Sequence, residues 1–236
     1  MYTVYMGTNN AVRFISAYNQ IDKALHTRFS LKSNMTFSDA VRAAAVKSAV
    51  VRKYADDLYD YSRLRNAIVH KSNTEIVIAE PHASVADKAE YILSLITAPP
   101  LLVGTVAKEA AYLSADTSLF DAVRTMAASN FSFMPVVRGG EIIGVFGNKT
   151  VVEALSQEAD WNAFAVSRTV QHFARACEAY YEVLPVSATA DDALRRFEQN
   201  RKLQIIILTD SGTKNDLPRF VVTTGDTVRL SKLIEF

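Results

Sequence analysis

The chain has 236 residues, 49% of them hydrophobic and 22% charged, a globular composition with room for one large domain or two modest ones. A formal net charge of +1 excludes a strong whole-chain field toward nucleic acid or membrane. The single cysteine, Cys177, excludes an intrachain disulfide and fits a reducing compartment.

The N-terminal stretch "MYTVYMGTNNAVRF" lacks the basic segment and apolar core of a secretory signal. No apolar run reaches the ~18 residues that a membrane helix needs. A soluble cytoplasmic protein is expected.

The first hundred residues read as helical. Over 11–29, Phe14, Tyr18, Ile21 and Leu25 recur at spacings of three and four. Residues 36–48 are rich in alanine and open on a cap candidate, Thr36 or Ser38. A third helix is expected over 52–70, with Tyr54, Leu58, Tyr61 and Leu64 or Arg65 on one stripe. A short extended run, "EIVIAEP" (75–81), ends at a proline. The last helix, over 84–96, carries Val85, Ala89, Ile92 and Ile96, with Ser84 and Asp87 as the expected cap pair. Residues 1–97 are therefore expected to form a four- or five-helix bundle.

After Pro100 the pattern alternates between strand and helix, and it repeats. "LSADTSLFDAVRTMAASNFSFMPVV" (113–137) lies without a gap on "LPVSATADDALRRFEQNRKLQIIIL" (184–208), so that Leu113 falls on Leu184 and Asp121 on Asp192. Each copy has its own helix start in Ser/Thr-x-x-acid spacing, Ser118 with Asp121 and Thr189 with Asp192. "GVFGNKTVVEAL" (144–155) then matches "FVVTTGDTVRLSKL" (220–233) after a longer second hairpin. A βαββα unit leaves one sheet face uncovered, so two copies are expected to pack together. The expected fold is a multidomain α and α+β protein: a bundle over 1–97 and two βαββα repeats over 98–236, at about 100–157 and 171–236.

The stretch "DTSLFDAVRTMAASNFSFMPVVRGGEIIGVFGNKTVVEAL" resembles a cystathionine β-synthase (CBS) domain, and residues 184–233 resemble a second, looser copy. The resemblance implies a paired module that binds an adenosine-containing effector such as AMP, ATP or S-adenosylmethionine. The family's ligand signature, a Ser/Thr closing the third strand and an Asp three residues on, is present as Thr223 and Asp226. The carboxylate would accept hydrogen bonds from the ribose hydroxyls, with the threonine hydroxyl toward phosphate and the base near Gln204. The first copy has Gly147 and Thr150 at those positions, and the family's second-strand proline is Pro135 in one copy and Ile206 in the other. One good nucleotide site at most is expected. Thr223 capping the following helix, with Asp226 in its first turn, accounts for the same residues without a ligand.

"LRNAIVHKS" (64–72) raises a second question. Arg65 and His70 are five residues apart, roughly 140° around a straight helix, and share a face only if the helix ends near His70. Asn73 suits such an end. The stretch resembles the signature of HEPN (higher eukaryote and prokaryote nucleotide-binding) domains, matched by Arg65, Asn66 and His70. That resemblance implies a metal-independent endoribonuclease acting as a homodimer on RNA and leaving 2′,3′-cyclic phosphate ends. His70 would move the proton, Arg65 would hold the phosphorane charge and Asn66 would orient the phosphate or His70. Asp22 is a candidate to approach this motif, although a solvated acidic residue is the commoner case, and Tyr54, Tyr59 and Tyr61 are candidates to stack on bases, although aromatics at this spacing are usually core. No metal is expected, because there is no CxxC or HExxH and the four histidines lie far apart in sequence.

Two functions fit this reading. One is a HEPN-type ribonuclease regulated by an adenine nucleotide on the CBS pair. The other is a non-catalytic nucleotide-sensing regulator whose bundle dimerises or docks a partner.

Overall fold

The computed structural model describes residues 10–69, 80–156, 161–174 and 179–236. His70, Asn73, Cys177 and nearly all of the 75–81 run lie outside the described residues. The chain divides into two compact units, residues 1–100 with Ile234–Phe236, and Leu101–Leu233. The fold is mixed α/β with an N-terminal helical region.

The helical unit contains α1 (Asn10–Arg28), α2 (Phe37–Ala45), α3 (Ala49–Lys53), α4 (Ala55–Val69) and α5 (Ala83–Thr97). The stripe Phe14, Tyr18, Ile21 and Leu25 is buried along α1, which packs on α4 and α5, and Leu58 of α4 and Ile92 and Ile96 of α5 are buried too. Thr36 caps α2, its hydroxyl accepting from the Asp39 N–H.

Two local expectations are corrected. The helix expected over 52–70 is broken at Tyr54. Ser48 caps the short α3 by accepting from the Val51 N–H, and the Tyr54 N–H bonds back to the Arg52 and Val50 carbonyls. Its phenol is thereby buried, donates to the Ile234 carbonyl at 2.7 Å, and is pushed by burial up to about 12. The second correction concerns α5. His82, not Ser84, is its cap, with Nδ1 accepting from the Ser84 N–H at 3.3 Å. Asp87 instead joins Glu90 in gripping Arg13 of α1, at 2.6 and 2.5 Å.

The second unit contains two sheets. β2 (Leu113–Ser114), β3 (Phe133–Arg138) and β4 (Glu141–Gly147) form the first, with α6 (Leu119–Ser129) between β2 and β3. β5 (Tyr181–Pro185), β6 (Ile205–Thr209) and β7 (Phe220–Thr223) form the second, with α10 (Ala190–Gln199) between β5 and β6. In each sheet the first two strands run parallel and the last two antiparallel. Ser118 and Thr189 cap α6 and α10 by accepting from the N–H of Asp121 and Asp192. Helix α7 (Asn148–Leu155) follows β4, and a 3-10 turn (Thr224–Asp226) leading into α11 (Thr227–Leu233) follows β7. Between the two halves lie α8 (Trp161–Ser167) and α9 (Gln171–Ala174).

The halves share a core. Val137, Ile142 and Val145 of the first sheet pack with Tyr181, Ile205 and Ile207 of the second. One pairing has no counterpart in the sequence pattern. β1 (Lys108–Glu109) adds antiparallel to β7, with Lys108 opposite Val221 and Glu109 opposite Phe220. The strand that precedes the first half thus completes the sheet of the second. Among the described residues no helix is long and apolar enough to cross a membrane.

Candidate functional site

The β1–β7 ladder borders a cleft of about 670 Å³. Lys108, Phe133, Pro135, Gln204 and the Thr223–Gly225 turn line it. On another wall, Asn130 closes α6 in the left-handed region at φ 52°, which turns Phe131 and Ser132 toward the opening. Both halves of the unit therefore contribute walls.

At the end of β7 the geometry is a capping box. The Thr223 N–H and hydroxyl both donate to Asp226 Oδ2, each at 3.0 Å. Asp226 is only 3% exposed. Its other oxygen faces two cations, Lys108 Nζ at 3.4 Å and Arg229 Nη1 at 3.8 Å. Arg229 is also tethered by donation to the Thr105 carbonyl at 3.2 Å. Gln204 is fixed through its backbone, donating to the Tyr180 carbonyl at 2.8 Å and accepting from the Thr224 N–H at 3.1 Å. Its side-chain amide donates to the Lys202 carbonyl at 3.3 Å. Thr223 and Gln204 thus share one cleft, with Asp226 bonded to its threonine rim.

The equivalent places in the first half are filled by other groups. A Cβ at Gly147 would lie 2.4 Å from the Phe133 ring, so that ring stands where a hydroxyl-bearing side chain would go. Thr150 is 1% exposed, in the place of Asp226. Lys149 donates to the Tyr180 hydroxyl at 2.6 Å with its ammonium 5.0 Å from the ring centre. Its pKa is raised, chiefly by that hydrogen bond.

In the helical unit, Arg65 is half-buried and Asn66 exposed near the end of α4. Tyr18 of α1 is a buried tyrosine of the same unit. Burial raises the Tyr18 pKa, with Ser62 and Arg65 opposing. Asp22 Oδ1 is 3.4 Å from His26 Nδ1, whose nearer partner is the Asp22 carbonyl at 2.9 Å. Tyr54 and Tyr61 are 4% and 5% exposed, and Tyr61 meets Phe14 edge-on at 5.3 Å, so neither offers a face for stacking. Tyr18, Ser62, Lys108 and Arg229 are the members that sequence reasoning missed. Among the described residues no three His, Cys, Asp or Glu side chains gather to hold a metal.

Comparison with solved structures gives low identities. A CBS domain pair in complex with 5′-methylthioadenosine and S-adenosyl-L-methionine is 16% identical over 57% of this chain and 97% of its own, with a TM-score of 0.45. The CBS domain of a bacterial CNNM/CorC family Mg2+ transporter in complex with ATP is 19% identical over 60% and 92%, with a TM-score of 0.42. A CBS protein in complex with AMP is 17% identical over 53% and 89%, with a TM-score of 0.41. No curated protein matches the chain. Residues 103–157 match the family model of the CBS domain, and that segment is a CBS domain.

Proposed function

We propose that this chain is an adenine-nucleotide sensor. Residues 98–236 act as a CBS pair with one working cleft, and residues 1–97 carry the output. The observation that supports this most is that Thr223, on the rim of a cleft walled by both halves of the unit, is bonded to the buried Asp226 behind it. A buried carboxylate with one oxygen committed to Thr223 and the other only loosely paired can accept from two vicinal ribose hydroxyls. Phe131 and Phe133 offer apolar surface to a base, and Gln204 an amide to its edge. The filled positions at Gly147, Thr150 and Lys149 argue for a single site per chain. Titration calorimetry with AMP, ATP and S-adenosylmethionine tests this. The expected result is saturable binding by at least one of them at about one equivalent per chain; no heat with any would reject the sensor.

Arg65 and Asn66, half-buried and exposed near the end of α4, leave room for a second reading, in which the sensor's output is a metal-independent, HEPN-type endoribonuclease. Two chains would bring Arg65, Asn66 and His70 to one groove. The arginine would hold the phosphorane charge and His70 would move the proton. Nucleotide control then requires the effector to prefer one arrangement of the dimer. A pool of RNAs incubated with the protein, with and without AMP, is expected to yield 2′,3′-cyclic phosphate ends that vanish in His70→Ala. Cleavage that survives the substitution would reject the mechanism.

A further inference from the structure

The cations around Asp226 carry more information than the presence of a site. Asp226 does not lie open to the cleft. The Lys108 ammonium, which lines the cleft, stands 3.4 Å from Oδ1, the oxygen that Thr223 leaves uncommitted. A ribose that reaches this carboxylate must move Lys108 aside. The lysine is free to go. Its side chain is 64% exposed, and the separation is longer than the roughly 2.7–2.9 Å of a tight charge-assisted bond. Arg229 is held on its other side by the Thr105 carbonyl and stays.

We infer that the cleft selects a nucleotide bearing a 5′-phosphate over adenosine and over adenosyl compounds without one, and that Lys108 is the selecting residue. This rests on the adenine-nucleotide reading above and names the ligand class of the same site. On binding, the ribose hydroxyls replace Lys108 at Asp226, and the displaced ammonium takes the phosphate as its new counter-charge. A nucleoside removes the same partner and returns nothing. Glu109, the next residue of β1, also borders the cleft with the opposite charge. The cleft is therefore no general anion trap, and selection depends on where the Lys108 ammonium goes.

The test compares AMP, adenosine and S-adenosylmethionine on the full chain and on Lys108→Met, which removes the charge from an exposed position. Calorimetry is expected to show AMP binding the native protein about tenfold tighter than adenosine, the size of effect open to one charge-assisted contact. In Lys108→Met that ratio is expected to fall to about threefold or less, because AMP loses its counter-charge while adenosine no longer competes with an ammonium. Equal affinity of the native protein for AMP and adenosine would overturn the inference and leave the sensor standing, as would an AMP preference unchanged in Lys108→Met. Binding of none of these three compounds, nor of ATP, would remove the sensor, and this inference with it.

Discussion

Replacing Asp226 by alanine is expected to lower the affinity for AMP by about 100-fold or more. A carboxylate that accepts from both ribose hydroxyls makes two hydrogen bonds to a charged group, each worth roughly 1.5–3 kcal/mol. Loss of the pair, at about 1.4 kcal/mol per tenfold, gives at least that factor. Asp226 also holds the Thr223 N–H and hydroxyl at 3.0 Å, so the substitution removes a cap as well as a ligand partner. Lost caps cost about 1 kcal/mol, too little to unfold a domain. Asp226→Asn separates the two roles, since its amide oxygen still accepts from Thr223 while the charge is gone. An intermediate loss is expected for asparagine and near-complete loss for alanine, read by calorimetry beside circular dichroism to check the fold. Native affinity in Asp226→Ala would mean that the carboxylate serves only the turn.

Those two roles also mark where the sequence stops being readable. The pairs Ser118–Asp121 and Thr189–Asp192 are legible because a cap is made within three residues, whatever the rest of the chain does. Leu113 and Leu184 each stand in a parallel strand pair, as the match between the copies anticipates, but the register differs by one residue: Leu113 stands opposite Val136, and Leu184 opposite Leu208 rather than Ile207. Thr223 and Asp226 stand out through the resemblance to the CBS ligand signature, in the frame that the repeat sets. The partners of Asp226 do not. Lys108 is 118 residues away and arrives because β1 joins the sheet of the other half, a pairing that no local pattern encodes. Arg229 is near in sequence, but its pairing depends on the 3-10 turn that starts the last helix.

The helical unit gives the same lesson. The stripe on α1 shows in the spacing of its apolar residues, whereas the break at Tyr54 does not. Periodicity continues through Tyr54, Leu58 and Tyr61, and what stops the helix is Ser48 capping a short segment that closes on Tyr54. The phenol then takes its partner from the far end of the chain, the Ile234 carbonyl. His82 was overlooked because an imidazole seldom caps a helix, and Ser84 had the usual residue type. The packing of α1 on α4, which sets the surroundings of Arg65, is likewise written in no local pattern.

That packing sets the second large effect. Phe14→Ala is expected to destabilise the helical unit by about 3–5 kcal/mol. Phe14 is fully buried, and its ring meets Tyr61 of α4 edge-on at 5.3 Å and Tyr18 of its own helix at 6.4 Å. Removing it deletes apolar area and also leaves a void where two rings lose their partner. Domains are stable by only about 5–15 kcal/mol, so the loss takes a large share of the total. Urea unfolding followed by far-ultraviolet circular dichroism is expected to show the helical signal lost at a clearly lower midpoint, with Phe14→Leu falling between the two. An unchanged midpoint in Phe14→Ala would mean that the α1–α4 contact does not hold the bundle together. A consequence reaches the nuclease reading. Tyr61 sits about one turn before Arg65 on α4, so a bundle that repacks around the missing ring also moves Arg65, and any RNA cleavage is expected to fall with the stability.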